Sequence, residues 1–509
     1  MNEPAAPLLR DVVIVGGGTA GWMTAAALSR RLAGLGLSIT LIESDAIGTV
    51  GVGEATLPQI RDFNRLAGID EREMMARTAA TIKLGIEFCD WGEPGTRYIH
   101  PFGTYGEAIG PAPFHHYWVA EKANGNAHDF GEYSLPIVAA RAGRFEPPAE
   151  EEGLGAYNYA FQFDAGLYAA YLSDVAQRSG VRRHEGRIVE VESDGETGEV
   201  AAVVMETGER IEGDLFIDCS GFRALLIEQE LQAGFEDWSH WLPCNRAWAV
   251  PCATSAETAP YTRATAREAG WQWRIPLQHR VGNGHVYCDR YISDDAAVET
   301  LLANLEAEPI AEPRQLRFTT GKRRRMWSRN VVAIGLSGGF LEPLESTSID
   351  LIQSGILNLV TLFPAGAIDE ADVSEYNRLM DLEYDRIRDF LMLHYVLNAR
   401  HGQRFWDDMR AMELPASLAE KIDAFRQRGL TPDYQEGLFL QQSWLSVFIG
   451  QGAVPEAFDP RVTAMSVSDR HARMERIHSA IAARAERLEP HLSFIEKYGA
   501  AYRGEGIRR

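Results

Sequence analysis

The hydrophobic pattern is sharpest near the start of the chain. Val12 to Val15 form an unbroken apolar run, which predicts a short strand buried on both faces. Glycines interrupt it, and an alanine-rich run to Leu32 then reads as a helix. A second apolar run, Ser38 to Ile42, ends in Glu43 and predicts a second strand. Helices are expected from about Leu57 to Ala67 and around Met74 and Met75, leading into Thr81 to Phe88, where Lys83 stands in an apolar run. Residues 104–165 are rich in Gly, Pro and aromatics, with an acidic loop at Glu150 to Glu152. Val181 to Asp218 predicts a meander of short strands, and residues 240–295 predict more β-structure. There Trp271, Trp273 and Ile275 alternate with Gln272 and Arg274, so a strand puts the first three on one face. Lys322 to Arg325 reads as a solvated surface. Asn330 to Gly335 predicts a buried strand that passes through a glycine-rich turn into a helix near Ser346. From about 350 to 509 the pattern is mostly amphipathic helix.

The first strand, helix and second strand frame Gly16, Gly18 and Gly21 in a G-x-G-x-x-G spacing. Gly16 allows the tight turn, Gly18 lets a pyrophosphate approach the backbone, and Gly21 lets the helix pack on the strand. The phosphates then sit on the helix N-terminus, where free N–H groups and the dipole favour anions. Glu43 lies 22 residues beyond Gly21, where a ribose-binding acid is expected. The ligand is a dinucleotide, NAD or FAD, and the acid disfavours the 2′-phosphate of NADP. Asp214 to Gly221, an acid-flanked strand ending in glycine, suits a return to this lobe. No second fingerprint for NAD(P)H is visible.

Composition narrows the class further. A chain of 509 residues is long enough for two or more lobes. A net charge of −22 argues against nucleic-acid binding. Cys89, Cys219, Cys244, Cys252 and Cys288 are few and form no C-x-x-C pair, which suggests a reducing, cytoplasmic compartment and no zinc site. No basic segment followed by an apolar run opens the chain, and no stretch has the length of a membrane span.

Several residues stand out chemically. Gly48, Gly51 and Gly53 crowd a loop that carries no charge between Asp45 and Glu54, which suits packing against a ligand. Lys83 reads either as a snorkelling surface lysine or as a desolvated donor or nucleophile. His100 and Phe102 read as core or as pocket wall. The turn before Ser346 would offer free N–H groups to an anion or a flavin edge, with Glu342 and Glu345 placed for that site or for helix capping.

Four stretches together resemble the flavin-dependent halogenases, the tryptophan halogenase family. They are Gly16-Gly-Gly-Thr-Ala-Gly-Trp22, Gly51-Val-Gly-Glu-Ala-Thr56 with Lys83, Trp271-x-Trp-x-Ile-Pro276, and Glu342-Pro-Leu-Glu-Ser-Thr347. The W-x-W-x-I-P motif separates this family from the single-component flavin monooxygenases. The resemblance implies an α/β fold of the Rossmann-like, flavin-monooxygenase type. Residues 1–350 form the FAD-binding core, with the nucleotide lobe at about 8–60, 160–225 and 320–350 and substrate-region β-structure inserted at about 225–320. Residues 351–509 form a helical region that completes the substrate pocket.

The resemblance also implies the chemistry. FADH2 from a separate flavin reductase activates dioxygen, and chloride or bromide is converted to hypohalous acid. This passes through a tunnel to an electron-rich aromatic, indolic substrate. Gly16, Gly18, Thr19, Ala20, Gly21, Glu43, Val50, Gly53, Ala55, Gly335, Leu336 and Ile349 match FAD-binding positions. Thr347 and Ser348 match halide-binding positions. Lys83 would hold the halogenating species, and Glu345 would orient it or take the proton of the arenium intermediate. Trp271 and Trp273 would wall the substrate off from the flavin, and His100, Pro101, Phe102 and Glu342 would line its pocket. A homodimer stays open. Where the family has Glu-Ser-Thr-Gly this chain has Ser348, which points to altered halide selectivity. The tyrosine-rich lid of enzymes acting on free tryptophan has no match here, so bare indoles, other aromatics and carrier-bound indoles stand beside tryptophan. The alternatives are a hydroxylating flavin monooxygenase and a non-catalytic flavin-binding protein.

Overall fold

The Asp11–Val15 strand lies near the middle of the sheet that its pattern predicts. In this computed structural model the described residues are 9–46, 53–148, 153, 155–254, 258–364, 366–434 and 437–504. Val12 pairs with Ile39 on one side and Leu215 on the other, both in parallel register. Arg182–Glu185 continues the sheet beyond Ser38–Glu43, and Val331–Ala333 continues it beyond Leu215–Asp218. Trp327–Ser328 closes one edge as an antiparallel strand. Val12 to Val15 are at most 4% exposed, because helices cover this sheet as they cover most parallel sheets. The Thr19–Arg31 helix packs across it through Trp22, Met23 and the Ala25 to Leu28 run.

A seven-stranded sheet forms the second body of β-structure. Its order is Arg314–Arg317, Arg246–Cys252, Val281–Tyr287, Gly270–Pro276, Thr262–Arg267, Gly85–Cys89 and Arg97–Pro101. The β-structure expected at about 225–320 is therefore present, but two strands from early in the chain extend it. Gly85–Cys89 runs parallel to Thr262–Arg267, which puts the His100 strand in the same sheet as the tryptophan strand, with two strands between them. A small sheet of Gly53–Ala55, Ala160–Asp164 and Thr81–Lys83 joins the two bodies. The helical tail is as expected, and its Glu370–Val396 helix is buried almost without break from Ile387 to Val396. No helix among the described residues is long and apolar enough to cross a membrane.

The Lys322 to Arg325 run is not the solvated surface expected of it. Arg324 and Arg325 are exposed, but Lys322 and Arg323 are buried. Lys322 bonds Asp381 and lies 3.8 Å from Asp385, and Arg323 bonds Glu228 at 2.7 Å and the Ser337 carbonyl at 3.0 Å. A short strand, Gly321–Arg323, places both side chains against acids that are distant in sequence. A run of like charges cannot reveal such partners.

Candidate active site

The three fingerprint glycines have separate steric reasons. Gly16 has φ of 112°, and a Cβ there would lie 2.3 Å from the Cys219 carbonyl oxygen. A Cβ on Gly21 would lie 1.8 Å from the Gly16 oxygen. A Cβ on Gly18 would meet nothing within 4 Å, so that glycine faces open space. The space is a cavity of about 550 Å³ that runs from the fingerprint to Trp271 and Trp273. Of the twelve expected FAD contacts, Gly16, Gly18, Thr19, Ala20, Glu43, Gly53, Ala55, Gly335, Leu336 and Ile349 line it. Gly21 packs behind it, and Val50 lies outside the described residues. Glu43 accepts bonds from Arg183 at 2.5 Å and Trp22 at 3.3 Å, which hold it at the strand end. Glu54 also lines the cavity, and burial raises its pKa to about 7. An open glycine at an uncapped helix start, above a long cavity, suits a dinucleotide.

At the far end of the cavity a second helix begins without a side-chain cap. Ser346 precedes the Thr347–Thr361 helix in the left-handed conformation, with φ of 60°. Its hydroxyl accepts a 2.8 Å bond from Lys83 Nζ instead of capping the helix. Thr347 is fully buried with no partner for its Oγ1, and Ser348 lines the cavity. Asp350, in the same first turn, is pushed well above its ordinary pKa by burial and by Glu383, which disfavours its charged form. Free N–H groups and an orphaned hydroxyl make this turn fit for a small anion.

Lys83 is fully buried, so the snorkelling reading fails. Its Nζ donates to the Thr56 carbonyl at 3.0 Å and to Ser346, and it lies 5.1 Å from the centre of the Phe102 ring. Burial lowers its pKa to about 7, against the opposing pull of Glu345. Glu345 is equally buried and is no helix cap. Its Oε2 meets His100 Nδ1 at 2.8 Å, and its Oε1 lies 2.8 Å from His394 Nε2, off the line of an ideal hydrogen bond. Burial alone would raise the Glu345 pKa, but the two imidazoles outweigh it and hold the group low, so it is a carboxylate. His394 Nδ1 lies 2.9 Å from the Phe390 carbonyl and must donate to it.

Trp271, Trp273 and Ile275 all face the cavity, as the alternation requires, while Arg274 turns to Glu306 and Gln272 to Arg267. Trp271 donates to Glu342 Oε2 at 2.8 Å, and Tyr395 donates to the same oxygen at 2.6 Å. Burial raises Glu342 to about 7 despite these bonds. Trp273 sits over Gly284 of the neighbouring strand, where a Cβ would lie 2.0 Å from its ring. His100 and Phe102 thus gather around Lys83 and Glu345, with Pro101 buried between them. Sequence reasoning missed Ser346, His394 and Tyr395. Only Gly282 and Gly284, in a strand of otherwise ordinary pattern, hinted at the close packing under Trp273. Elsewhere His128, Glu132 and His478 come within metal-ligand reach of one another. The two imidazoles are parallel and 3.9 Å apart, so their lone pairs do not converge.

A dinucleotide cavity with an anion-ready helix start, beside a buried lysine and carboxylate, fits a flavin-dependent halogenase. The chain belongs to the tryptophan halogenase family, whose model matches residues 11–467. Tryptophan 6-halogenase SttH of Streptomyces toxytricini is 37% identical over 96% of this chain and 98% of its own length. Two solved flavin-dependent halogenases share the fold. Xcc4156 of Xanthomonas campestris is 48% identical with a TM-score of 0.94, covering 98% of this chain and 100% of that one. BrvH of Brevundimonas sp. BAL3 is 44% identical with a TM-score of 0.93, covering 96% and 99%.

Proposed function

We propose that this protein halogenates an electron-rich, indolic aromatic compound, using FADH2, dioxygen and chloride or bromide. The observation that carries the reading is Ser346. It lines the flavin cavity and also holds Lys83 Nζ, so one residue touches both the cavity and the buried lysine outside its lining. Bound reduced flavin supplies the activation of dioxygen that turns halide into hypohalous acid. The chain's own residues do the rest. The first turn at Thr347 and Ser348 holds the halide. Trp271 and Trp273 keep the organic substrate and bulk water from the flavin. Lys83 holds the oxidant as an ammonium donor, or as the amine that takes the halogen with loss of water. Glu345, already ionised, removes the ring proton, and His100 and His394 fix its orientation. Pro101, Phe102 and Glu342 complete the substrate side, with residues 351–509 as its helical cover and residues 1–350 as the flavin core.

A separate reductase delivers the flavin, since one dinucleotide fingerprint serves one dinucleotide. The protein acts in the cytoplasm without nucleic acid or membrane, and a homodimer is compatible with this scheme. The test is mass spectrometry of an aromatic library incubated with enzyme, FAD, a flavin reductase, NADH and either halide. A mass gain of one halogen for one hydrogen on an indolic compound is the expected result. Hydroxylated products, or rapid NADH consumption without the reductase, would instead establish the monooxygenase.

A further inference from the structure

The flavin cavity departs from the charge of the molecule around it. The chain carries a net charge of −22, yet four arginines and only two carboxylates line the cavity. The carboxylates contribute little negative charge: Glu43 is paired with Arg183, and desolvation raises the pKa of half-buried Glu54 to about 7. Arg263 is paired with Glu306. The other three, Arg187, Arg223 and Arg317, are exposed and have no carboxylate partner among the described residues. They come from separate parts of the chain: the turn after the Arg182–Glu185 strand, the Gly221–Arg223 turn, and the end of the Arg314–Arg317 strand. Three that line one cavity without an acid partner among the described residues give that cavity an excess of positive charge on a molecule of net negative charge.

We propose that Arg187, Arg223 and Arg317 form a cationic collar that captures the reduced flavin from solution through its diphosphate. This rests on the proposed function, which requires a flavin that arrives from another protein. A molecule of this net charge repels a dinucleotide anion at long range. A cleft lined by the opposite sign focuses the field locally and restores a fast encounter. Exposed charges act over about 10 Å at 0.1 M salt, so the effect belongs to the association rate and fades with added salt.

The experiment is stopped-flow fluorescence of the full-length apoprotein mixed with FAD at a series of salt concentrations, repeated anaerobically with FADH2. Riboflavin, which has no diphosphate, is the control. The wild-type association rate for FAD should fall steeply with salt, and that for riboflavin should not. The triple variant Arg187→Gln, Arg223→Gln, Arg317→Gln should associate roughly ten-fold more slowly at low salt and lose the dependence. The triple lysine variant should keep both rate and dependence. A salt-independent wild-type rate, or a glutamine variant equal to wild type, overturns the capture. The wild-type series decides even if the variants fold poorly. FAD that fails to bind at all overturns the flavoenzyme reading together with the capture, whereas FAD that binds at a salt-independent rate overturns the capture alone.

Discussion

Ser346 Oγ accepts a 2.8 Å hydrogen bond from Lys83 Nζ across 263 residues of sequence. The serine would ordinarily cap the helix that follows it. Its left-handed backbone turns the hydroxyl to the lysine and leaves the first turn of that helix open to the cavity. One strained residue thus serves both the cavity and the buried lysine. A left-handed serine costs on the order of 1 kcal/mol, a strain consistent with a functional position.

The glycine fingerprint makes a paired prediction. Gly18→Ala places its methyl in open cavity, so the apoprotein should keep its stability to within about 0.5 kcal/mol while FAD affinity falls. Gly21→Ala places its methyl 1.8 Å from a backbone oxygen that cannot move cheaply, so it should cost several kcal/mol before any ligand is added. Denaturant unfolding and FAD titration of both variants check this. Equal stability losses would show that the two glycines do the same job.

Lys83 should leave a signature in stability. Its folded pKa is about 7 against an ordinary 10.5, so between these values the unfolded chain binds a proton that the folded chain does not. Stability then rises with pH across this window, and the cost of the buried lysine is greatest below about pH 7. Lys83→Met removes the titration. The variant's stability relative to wild type should be most favourable near pH 7 and decline toward pH 10, by up to a few kcal/mol. Chemical denaturation at several pH values measures it. A difference that does not change with pH would place an ordinary lysine at this position.

The halide step carries its own prediction. Ser348 adds a side chain at the cavity edge beside the orphaned Thr347 hydroxyl. Bromide is the easier halide to oxidise and should be used at least as well as chloride. Product ratios at equal halide concentrations test this, and a clear chloride preference refutes it.

Much of this was legible in the sequence, for definable reasons. The fingerprint lobe was readable because Gly16, Gly18 and Gly21 are constrained within one turn, and the tryptophan stripe because alternation in a strand is strict. Lys83 was visible as a charge in an apolar run, but its partners Thr56 and Ser346 were not, because the small three-stranded sheet brings in the one and the turn before the Thr347–Thr361 helix the other. His394 was invisible for a different reason. It lies in the last turns of a helix buried nearly all round, where an imidazole that bonds its own helix resembles any core histidine. The buried pairs of Lys322 and Arg323 were misread because their partners, Asp381 and Glu228, lie 59 and 95 residues away.

The central claim is that halide is oxidised in one compartment and used in another, with Lys83 serving only the second. Lys83→Ala tests it most directly. The fingerprint and Glu43 are untouched, so FAD binding and the reaction of bound reduced flavin with dioxygen should stay near wild type. Halogenated product should vanish, because no buried amine remains to hold the oxidant. Stopped-flow flavin absorbance and chromatographic product analysis on the same samples give both readings. Wild-type flavin kinetics with no product is the predicted result. Product within a few-fold of wild type, or loss of the flavin reaction together with the product, would contradict the account.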